Sequence, residues 1–302
     1  MWQQQGTPGA ALRKALTHDG PVIAPGVTDA LMARLVERAG FPVVYMTGAG
    51  TSLTRLGVPD LGLITASEMV QNASCIANAV SLPVIADADT GYGDPLNVRR
   101  TVTMYEQSGV AGIHLEDQML PKRCGYFDTK RLVEVDEHAM RIQAAVDARH
   151  DDDFMIIART DALSMTGLDD ALARARAYSK AGADAVWVDG ITTEEQAAEI
   201  GGALKDLILI YDAAPTPAAP MLSADELWDL GYNIVIMPNI IMQALIKTAE
   251  EVLDEIKETG SMRSVMERAV SFEYRQEIGG LSDFQRLQAK YGLPVTTTMQ
   301  VS

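Results

Sequence analysis

Two apolar segments of this chain end in acidic side chains whose spacing predicts a binding site for a divalent metal ion. Asp87 and Asp89 close the first segment, and Glu116 closes the second, two residues after His114. Because alternate side chains of a strand point to the same face, we expect each pair to share a face. Buried carboxylates that repel one another need a neutralising cation or protons. Oxygen ligands at this density favour a hard ion, Mg2+ first and Mn2+ second.

The elements that must position these residues follow a regular alternation of short apolar strands and amphipathic helices. Strands buried on both faces are almost continuously apolar, and a glycine after a helix supplies its left-handed cap. Eight such units predict an α/β fold of the (β/α)8 TIM-barrel type, with a doubly wound sheet as the alternative. The predicted strands are Val22–Pro25, Val43–Thr47, Val84–Asp87, Gly112–Glu116, Met155–Arg159, Ala185–Val188, Leu207–Tyr211 and Ile234–Pro238. The predicted helices are Asp29–Ala39, Ala66–Val80, Leu96–Ser108, Asp136–Ala148, Leu168–Ala181, Thr193–Leu204, Ser223–Leu230 and Ile240–Glu258.

The domain organisation is predicted to be simple, because the 302 residues contain no linker or low-complexity segment. Residues 1–302 are predicted to form a single barrel domain, with residues 259–302 as a C-terminal helical extension. Within this extension, Met262–Glu273 and Leu281–Tyr291 have helical patterns with apolar residues that need a partner surface. Two hypotheses stay open: packing against another subunit, and covering the base of the barrel.

The strand ends of this chain are polar, and functional residues of barrels lie where the strands end. The residues concerned are Tyr45, Thr47, Gly48, Ala49, Gly50, Asp87, Asp89, His114, Glu116, Gln118, Arg159, Thr160, Asp161, Asp189, Tyr211, Asp212 and Asn239. The glycine-rich turn that begins at Thr47 offers backbone N–H groups to an anion, and Arg159 suits bidentate binding of a carboxylate. Plainer alternatives stay open: Arg159 could neutralise nearby acids, and His114 could be a core histidine. Asp161 and Asp212 could cap helices.

The two cysteines are predicted to differ. Cys75 lies in a helical pattern, which predicts a buried and inert thiol. Cys124 lies in the loop Met119–Lys130, with Lys122 and Arg123 beside it, and nearby cations lower the pKa of a thiol. A loop of this kind could close over a bound substrate and bring the thiol to the reacting carbon. We call this segment the lid loop.

The charge of the chain limits its partners. A net charge of −16 argues against nucleic acids and anionic membrane surfaces, since both bind basic patches. No apolar stretch is long enough to span a bilayer, and Met1–Gly6 lacks a basic segment followed by an apolar run, so no signal peptide is predicted. Two cysteines do not indicate a disulfide framework. These features predict a cytoplasmic protein whose partner is a small molecule.

Several motifs, taken together and in this order, resemble the isocitrate lyase/phosphoenolpyruvate mutase superfamily. The resemblance is strongest to its methylisocitrate lyase-like members, the branch that contains 2,3-dimethylmalate lyase and carboxyphosphonoenolpyruvate mutase. It extends from about Pro21 to Gly260, which is most of the chain. The matching segments are Met46–Ser52, Leu56–Gly62, Asp87–Gly93, His114–Gln118, Lys122–Gly125 and Ala158–Ala162.

The resemblance implies a barrel enzyme that binds Mg2+ and cleaves a carbon–carbon bond. Its substrate would be a 2-hydroxy di- or tricarboxylate such as 2-methylisocitrate or 2,3-dimethylmalate, and a 2-oxoacid such as pyruvate would be released. Cys124 would protonate the departing enolate, and Tyr45 would lie beside the 2-oxo or 2-hydroxy group. The family often forms homotetramers that exchange C-terminal helices, which would account for residues 259–302.

The same resemblance assigns roles to further residues. The metal ligands, partly through waters, would be Asp60, Asp87, Asp89 and Glu116. Thr47, Gly48, Ala49 and Arg159 would hold the substrate carboxylates. His114 joins the predicted catalytic residues, and Asp189, Tyr211 and Asn239 join those predicted to bind substrate.

Three departures from the family pattern indicate an altered substrate pocket. The lid reads Cys124-Gly125-Tyr126 where lyases usually have Cys-Gly-His, and Asp189 stands where a Glu is usual. An Asn is usual near Tyr211. These changes argue against standard methylisocitrate lyase activity. The alternatives are an oxaloacetate-type decarboxylase or hydrolase, a phosphonate-forming mutase, and a non-catalytic homologue of the barrel.

Overall fold

The computed structural model describes residues 6–297. The expectation about a signal peptide rests on Met1–Gly6, and the first five of these residues lie outside the described residues. The described chain falls into two compact units, and the division lies between Met242 and Gln243. The description of residues 1–302 as a single domain stays a prediction.

The first unit contains a closed barrel of eight parallel strands. Each strand is hydrogen-bonded to the next, and the pairing of β1 with β8 closes the barrel. The predicted (β/α)8 class is confirmed. The strands are β1 (Val22–Val27), β2 (Val44–Met46), β3 (Val84–Asp87), β4 (Gly112–Glu116), β5 (Met155–Thr160), β6 (Ala185–Val188), β7 (Leu209–Asp212) and β8 (Ile234–Met237).

Helices surround the strands in the order that the sequence predicts, with two additions. Those of the first unit are α1 (Pro8–Ala15), α2 (Ala30–Arg38), α3 (Gly48–Leu56), α4 (Ala66–Ala77), α5 (Pro95–Ser108), α6 (Val135–Val146), α7 (Leu168–Lys180), α8 (Glu194–Ala203) and α9 (Ala224–Asp229). The sequence analysis missed α1 and α3. The prediction of a buried Cys75 is wrong, because this residue lies on the exposed face of α4, opposite buried Met69 and Ala73.

Two layers of apolar side chains follow from the alternation of each strand. One layer fills the barrel and includes Tyr45, Ile85, Ile157 and Trp187. The residues between these positions point outward and pack against the helices, as Ile156 does. Since a strand alternates with a period of two, the last inward residue of each strand lies at the carboxyl end of the barrel interior.

The C-terminal residues form three helices. Helix α10 (Ile240–Thr259) crosses the division between the units, and α11 (Phe272–Ile278) and α12 (Leu281–Lys290) follow it. The predicted helix at Leu281–Tyr291 is present, whereas the one at Met262–Glu273 is wrong over most of its length. Residues 262–269 form turns and bends instead. Among the described residues, no helix has both the length and the apolar character needed to cross a membrane.

Candidate active site

Strand register brings the predicted acidic and basic residues side by side. Asp87 at the end of β3 lies beside His114 of β4, and Glu116 lies beside Arg159 of β5. Ile113 and its alternate neighbours point outward into the helix layer, so His114 and Glu116 point into the barrel. The alternation that was predicted for β4 is therefore present.

Asp89 reaches the same place by a different route from the one predicted. Strand β3 ends at Asp87, and Asp89 follows it in a left-handed conformation with φ of 49°. Its backbone N–H donates a hydrogen bond of 2.9 Å to Asp87 Oδ1. A tight turn, and not strand alternation, therefore places these two carboxylates together.

Four buried carboxylates gather around the lysine of the lid loop. Lys122 Nζ lies 2.7 and 2.8 Å from the two oxygens of Asp60 and 2.7 Å from Asp89 Oδ1. Burial raises the pKa of Asp87, of Asp89 and, most strongly, of Glu116. Glu116 Oε1 is buried and has no hydrogen-bond donor among residues 6–297. We call Asp60, Asp87, Asp89 and Glu116 the carboxylate cluster.

Direct metal coordination is not preformed in the part of the chain that the structure describes. Within residues 6–297, no three His, Cys, Asp or Glu side chains converge on a common point that could hold a metal ion. The predicted ligand set allowed for waters between metal and protein. The four ligands remain a prediction.

Tyr45 and His114 form a hydrogen-bonded pair next to this cluster. The Tyr45 hydroxyl lies 2.9 Å from His114 Nε2, which is also 3.6 Å from Asp87 Oδ1. Burial lowers the pKa of His114 well below its usual range and raises that of Tyr45. At neutral pH the imidazole is therefore uncharged and the phenol keeps its proton. The edge of the imidazole packs on Trp187.

The predicted glycine-rich turn is the first turn of α3. Thr47 caps this helix, and its Oγ1 accepts the N–H of Gly50 and donates to Asn239 Oδ1 at 3.0 Å. The Gly48 N–H, predicted to hold a substrate, donates to Asp87 Oδ2 at 3.1 Å. Ala49 lies between Gly48 and Gly50 at the amino end of α3, where the helix dipole favours an anion.

Arg159 is oriented by protein carboxylates, so its predicted bidentate face is already in use. Its Nε and Nη2 donate to the two oxygens of Asp161 at 3.1 and 2.9 Å. Nη2 also donates to Asp189 Oδ2 at 2.7 Å, and Nε lies 3.5 Å from Glu116 Oε2. The guanidinium carbon lies 4.4 Å from the centre of the Trp187 ring. Nη1 is the nitrogen without a bond to these acids.

The structure does not bring Tyr211 to this cluster. Tyr211 packs outward against Tyr232, with ring centres 5.1 Å apart, among the residues between β7 and the helices. Alternation turns the next residue, Asp212, inward with Ile210. Burial and the neighbouring Asp189 raise the pKa of Asp212 well above its usual range. The sequence analysis named Asp212 only as a strand-end residue or cap.

The lid loop lies on the strand ends. The Cys124 N–H donates to the Asp60 carbonyl at 3.2 Å, and Lys130 Nζ donates to Ser164 and to the Gly125 carbonyl. A Cβ at Gly125 would overlap the ends of the Asp189 and Arg159 side chains, so glycine allows this approach without moving them. Burial raises the pKa of the Cys124 thiol, contrary to the expectation that nearby cations lower it. The thiol therefore keeps its proton at neutral pH.

A second layer behind the site was missed by the sequence analysis. Asp117 is fully buried and accepts hydrogen bonds from the Asp161 N–H, the Thr160 hydroxyl, Arg174 and the Tyr178 hydroxyl, at 3.0, 2.7, 3.2 and 2.8 Å. It thus fixes Asp161, which in turn orients Arg159. A second acid directly after Glu116 is the one local signal in the sequence. Its partners on α7 are remote in the chain.

Similarity to known proteins agrees with this arrangement. The family model for phosphoenolpyruvate phosphomutase matches residues 12–257. The chain is 40% identical over 282 residues to 2,3-dimethylmalate lyase of Eubacterium barkeri, covering 93% of this chain and 97% of the relative.

The chain is also similar over nearly its whole length to solved structures of related enzymes. Oxaloacetate acetylhydrolase in complex with 3,3-difluorooxalacetate superposes with a TM-score of 0.92 at 36% identity, over 97% of this chain and 100% of the other. Phosphonopyruvate hydrolase in complex with oxalate and Mg2+ has a TM-score of 0.86 at 33% identity, over 95% and 99% of the chains. The family model and the similarity to 2,3-dimethylmalate lyase confirm the predicted class of carbon–carbon lyase. The chain therefore belongs to the phosphoenolpyruvate phosphomutase family, within the isocitrate lyase/phosphoenolpyruvate mutase superfamily.

Proposed function

We propose that this protein is a Mg2+-dependent lyase that cleaves a 2-hydroxy di- or tricarboxylate into a 2-oxoacid and a second carboxylate. One observation carries the proposal: the lid loop holds a protonated, half-buried thiol beside Asp60 of the carboxylate cluster, and Arg159 contacts Glu116 of the same cluster. This arrangement combines an acid, a place for a hard cation and a cation for a carboxylate.

The residues of the carboxylate cluster fit a hard divalent cation. Its four acids face Lys122 and Arg159 as their nearest cations, and Arg159 also serves Asp161 and Asp189. The unpartnered Glu116 Oε1 and the surplus of negative charge are what a bound cation or its waters would satisfy. When bound, Mg2+ would polarise the oxygen that becomes the 2-oxo group. Mn2+ has the same preference for oxygen ligands.

The substrate carboxylates would lie between the first turn of α3 and Arg159. Ala49 and the dipole of α3 favour an anion at one end, while Nη1 of Arg159 remains for a carboxylate at the other. Tyr45, held by His114, would form a hydrogen bond with the 2-oxygen. Thr47 and Asn239, bonded to each other, would border the same end.

The reaction can be written with the groups of this chain. The 2-hydroxyl would pass its proton to the Tyr45 oxygen while Tyr45 gives its own proton to the uncharged His114 Nε2; the carbon–oxygen bond becomes a carbonyl, and the neighbouring carbon–carbon bond breaks. The electron pair of that bond forms the enolate of the second product, which takes a proton from Cys124 Sγ. A thiol that is protonated at neutral pH suits the role of general acid.

Hydrolysis of oxaloacetate is the second candidate function. It is favoured by the TM-score of 0.92 to oxaloacetate acetylhydrolase over nearly the whole of both chains. A phosphonate-forming mutase is less well supported, because Cys124 has no role in forming a carbon–phosphorus bond. A non-catalytic homologue would leave the burial of four carboxylates without a cause.

The proposed acid is tested by Cys124→Ser. A serine hydroxyl is a far weaker acid than a thiol, so we expect kcat/KM for cleavage of 2-hydroxy diacids to fall about 100-fold or more. The measurement is release of 2-oxoacid from 2,3-dimethylmalate, citramalate, isocitrate and 2-methylisocitrate, with and without EDTA. Exposed Cys75 offers a matched control, and Cys75→Ser should retain full activity. Oxaloacetate turnover that survives Cys124→Ser would move the assignment to the second candidate.

The proposal includes a homotetramer that exchanges C-terminal helices and a cytoplasmic location. In the second unit, apolar side chains of all three helices are exposed, among them Leu253, Phe272 and Phe284 at 64%, 52% and 46%. Surfaces of this kind mark an interface between subunits. The location rests on the cysteine content, since two cysteines do not indicate a disulfide framework and fit a reducing compartment.

A further inference from the structure

The side of the site formed by β6 and β7 carries more carboxylates than cations. Asp161, Asp189 and Asp212 meet there, and the cations that face them are Arg159 and Lys130. Two nitrogens of Arg159 are already bound to Asp161 and Asp189. This side therefore has no cation left over to neutralise a further anion.

Two oxygens on this side have no hydrogen-bond donor within the described residues. Asp189 Oδ1 is one of them, on a side chain with no solvent exposure, and Asp212 Oδ1 is the other. A buried acceptor without a donor costs free energy, so such atoms point to a donor that arrives with a ligand or a water. Burial raises the pKa of Asp189 to about 6, so above pH 7 this carboxylate is ionised and, with Asp161, offsets the charges of Arg159 and Lys130.

The lid loop limits the space above these oxygens. The backbone at Gly125 lies so close to Asp189 Oδ2 that a Cβ there would overlap it. Tyr126 follows directly, and both Asp212 and Asp189 raise the pKa of its phenol, which places the phenol near these acids. A substituent on this side would be enclosed by acceptors and by an aromatic ring.

We propose that the β6–β7 side accepts an uncharged substituent, bonded to Asp189 and Asp212 through a hydroxyl or a water, and excludes a third carboxylate. The substrate would then be a 2-hydroxy dicarboxylate and not a tricarboxylate. This inference rests on the proposed function for the identity of the reaction. It concerns binding, however, and can be tested without turnover.

The binding test compares succinate with tricarballylate, which adds one carboxymethyl group. Neither has a 2-hydroxyl group to be cleaved. In the presence of Mg2+, calorimetry should give succinate an affinity at least about 10-fold higher, since a third carboxylate would face Asp189 and Asp212 at short range. Tricarballylate that binds as tightly as succinate, or binding of neither, overturns the inference.

Variants identify the carboxylates responsible. Asp212→Asn, compared with the wild type at pH 8, replaces the carboxyl group that bears the unpartnered Oδ1 by an amide of similar shape and should reduce the preference for succinate several-fold. Asp225→Asn makes the same replacement in the exposed first turn of α9 and should leave the preference unchanged. An unchanged preference in a folded Asp212→Asn protein would assign the selectivity elsewhere and overturn this part.

Turnover separates the inference from the proposed function. Cleavage of 2,3-dimethylmalate and citramalate, with kcat/KM for 2-methylisocitrate and isocitrate lower by 10-fold or more, supports both. If none of the 2-hydroxy acids is cleaved but succinate still binds selectively, the proposed function is wrong and the inference about binding is supported. Faster cleavage of tricarboxylates would leave the lyase and overturn the inference.

Discussion

At the scale of single residues, the absence of a side chain at Gly48 decides where Asp87 lies. The Gly48 N–H donates to Asp87 Oδ2, and a Cβ at this position would collide with that same oxygen. Asp87 in turn accepts the Asp89 N–H and lies 3.6 Å from His114. One backbone contact therefore orders three polar groups of the site.

Gly48→Ala should move Asp87 and weaken metal binding. We expect the affinity for Mg2+, measured by calorimetry, to fall about 10-fold or more, with a matching loss of metal-dependent activity. Gly202→Ala is the matched control, because Gly202 lies in α8 with no atom within 4 Å of the added Cβ. That change should stabilise the protein by about 0.5–1 kcal/mol through helix propensity. Unaltered Mg2+ binding by Gly48→Ala would contradict the assigned role.

At the scale of elements, the end of β4 is tied to β5 and α7 through Asp117. This carboxylate joins the backbone of Asp161 to the side chains of Arg174 and Tyr178. Arg174 is itself 7% exposed, and its charge is compensated by Asp117 at 3.2 Å together with Asp170 at 2.8 Å. The network holds the strand end that carries Arg159.

Asp117→Asn should both destabilise the protein and loosen Arg159. Breaking a buried ion pair costs about 3–5 kcal/mol, which chemical denaturation would detect as a lower midpoint. In the protein that remains folded, KM should rise more than kcat falls, since the substrate carboxylate is held less firmly. Asp206→Asn, which breaks the exposed pair with Arg176, is the control and should leave the midpoint unchanged. Equal midpoints for the two variants would show that the network has no structural role.

At the scale of the whole molecule, the two units differ in how many of their apolar side chains are buried. The barrel unit buries three apolar clusters, whereas α10 and α12 have no buried residue among those described. On α10, Ile246, Leu253 and Ile256 lie on one stripe of the helix, spaced by seven and three residues. A stripe of this kind is typical of helices that pack against another chain.

Leu253→Lys should shift the oligomeric state toward smaller species. A charge in the middle of an apolar interface costs several kcal/mol, enough to dissociate a tetramer at micromolar concentration. Light scattering after size exclusion measures the mass directly. Thr248→Lys places the same charge away from the stripe, and the oligomer of this variant should have the same mass as that of the wild type. A wild-type mass for Leu253→Lys would exclude this stripe from the interface.

The sequence predicted the barrel well because the relevant signals are local. Apolar runs and capping glycines mark each unit within a few residues, as at Gly109 after α5. Helix α3 was missed because its glycines have poor helix propensity, although Thr47 caps it. The face of Tyr211 was not predicted because a shift of one residue reverses a strand's faces. The partners of Lys122 and Lys130 depend on contacts between remote segments, which no local pattern encodes.

The contact between Gly125 and Asp189 has a consequence for anyone who wishes to redesign this enzyme. A side chain at position 125 would have to displace the ends of Asp189 and Arg159, so we expect random libraries that vary it to contain many impaired clones. The next four residues, Tyr126 to Thr129, are exposed, and Lys130 is a buried anchor behind them. A library confined to these four positions would sample new specificities while leaving Cys124, the proposed acid, unchanged.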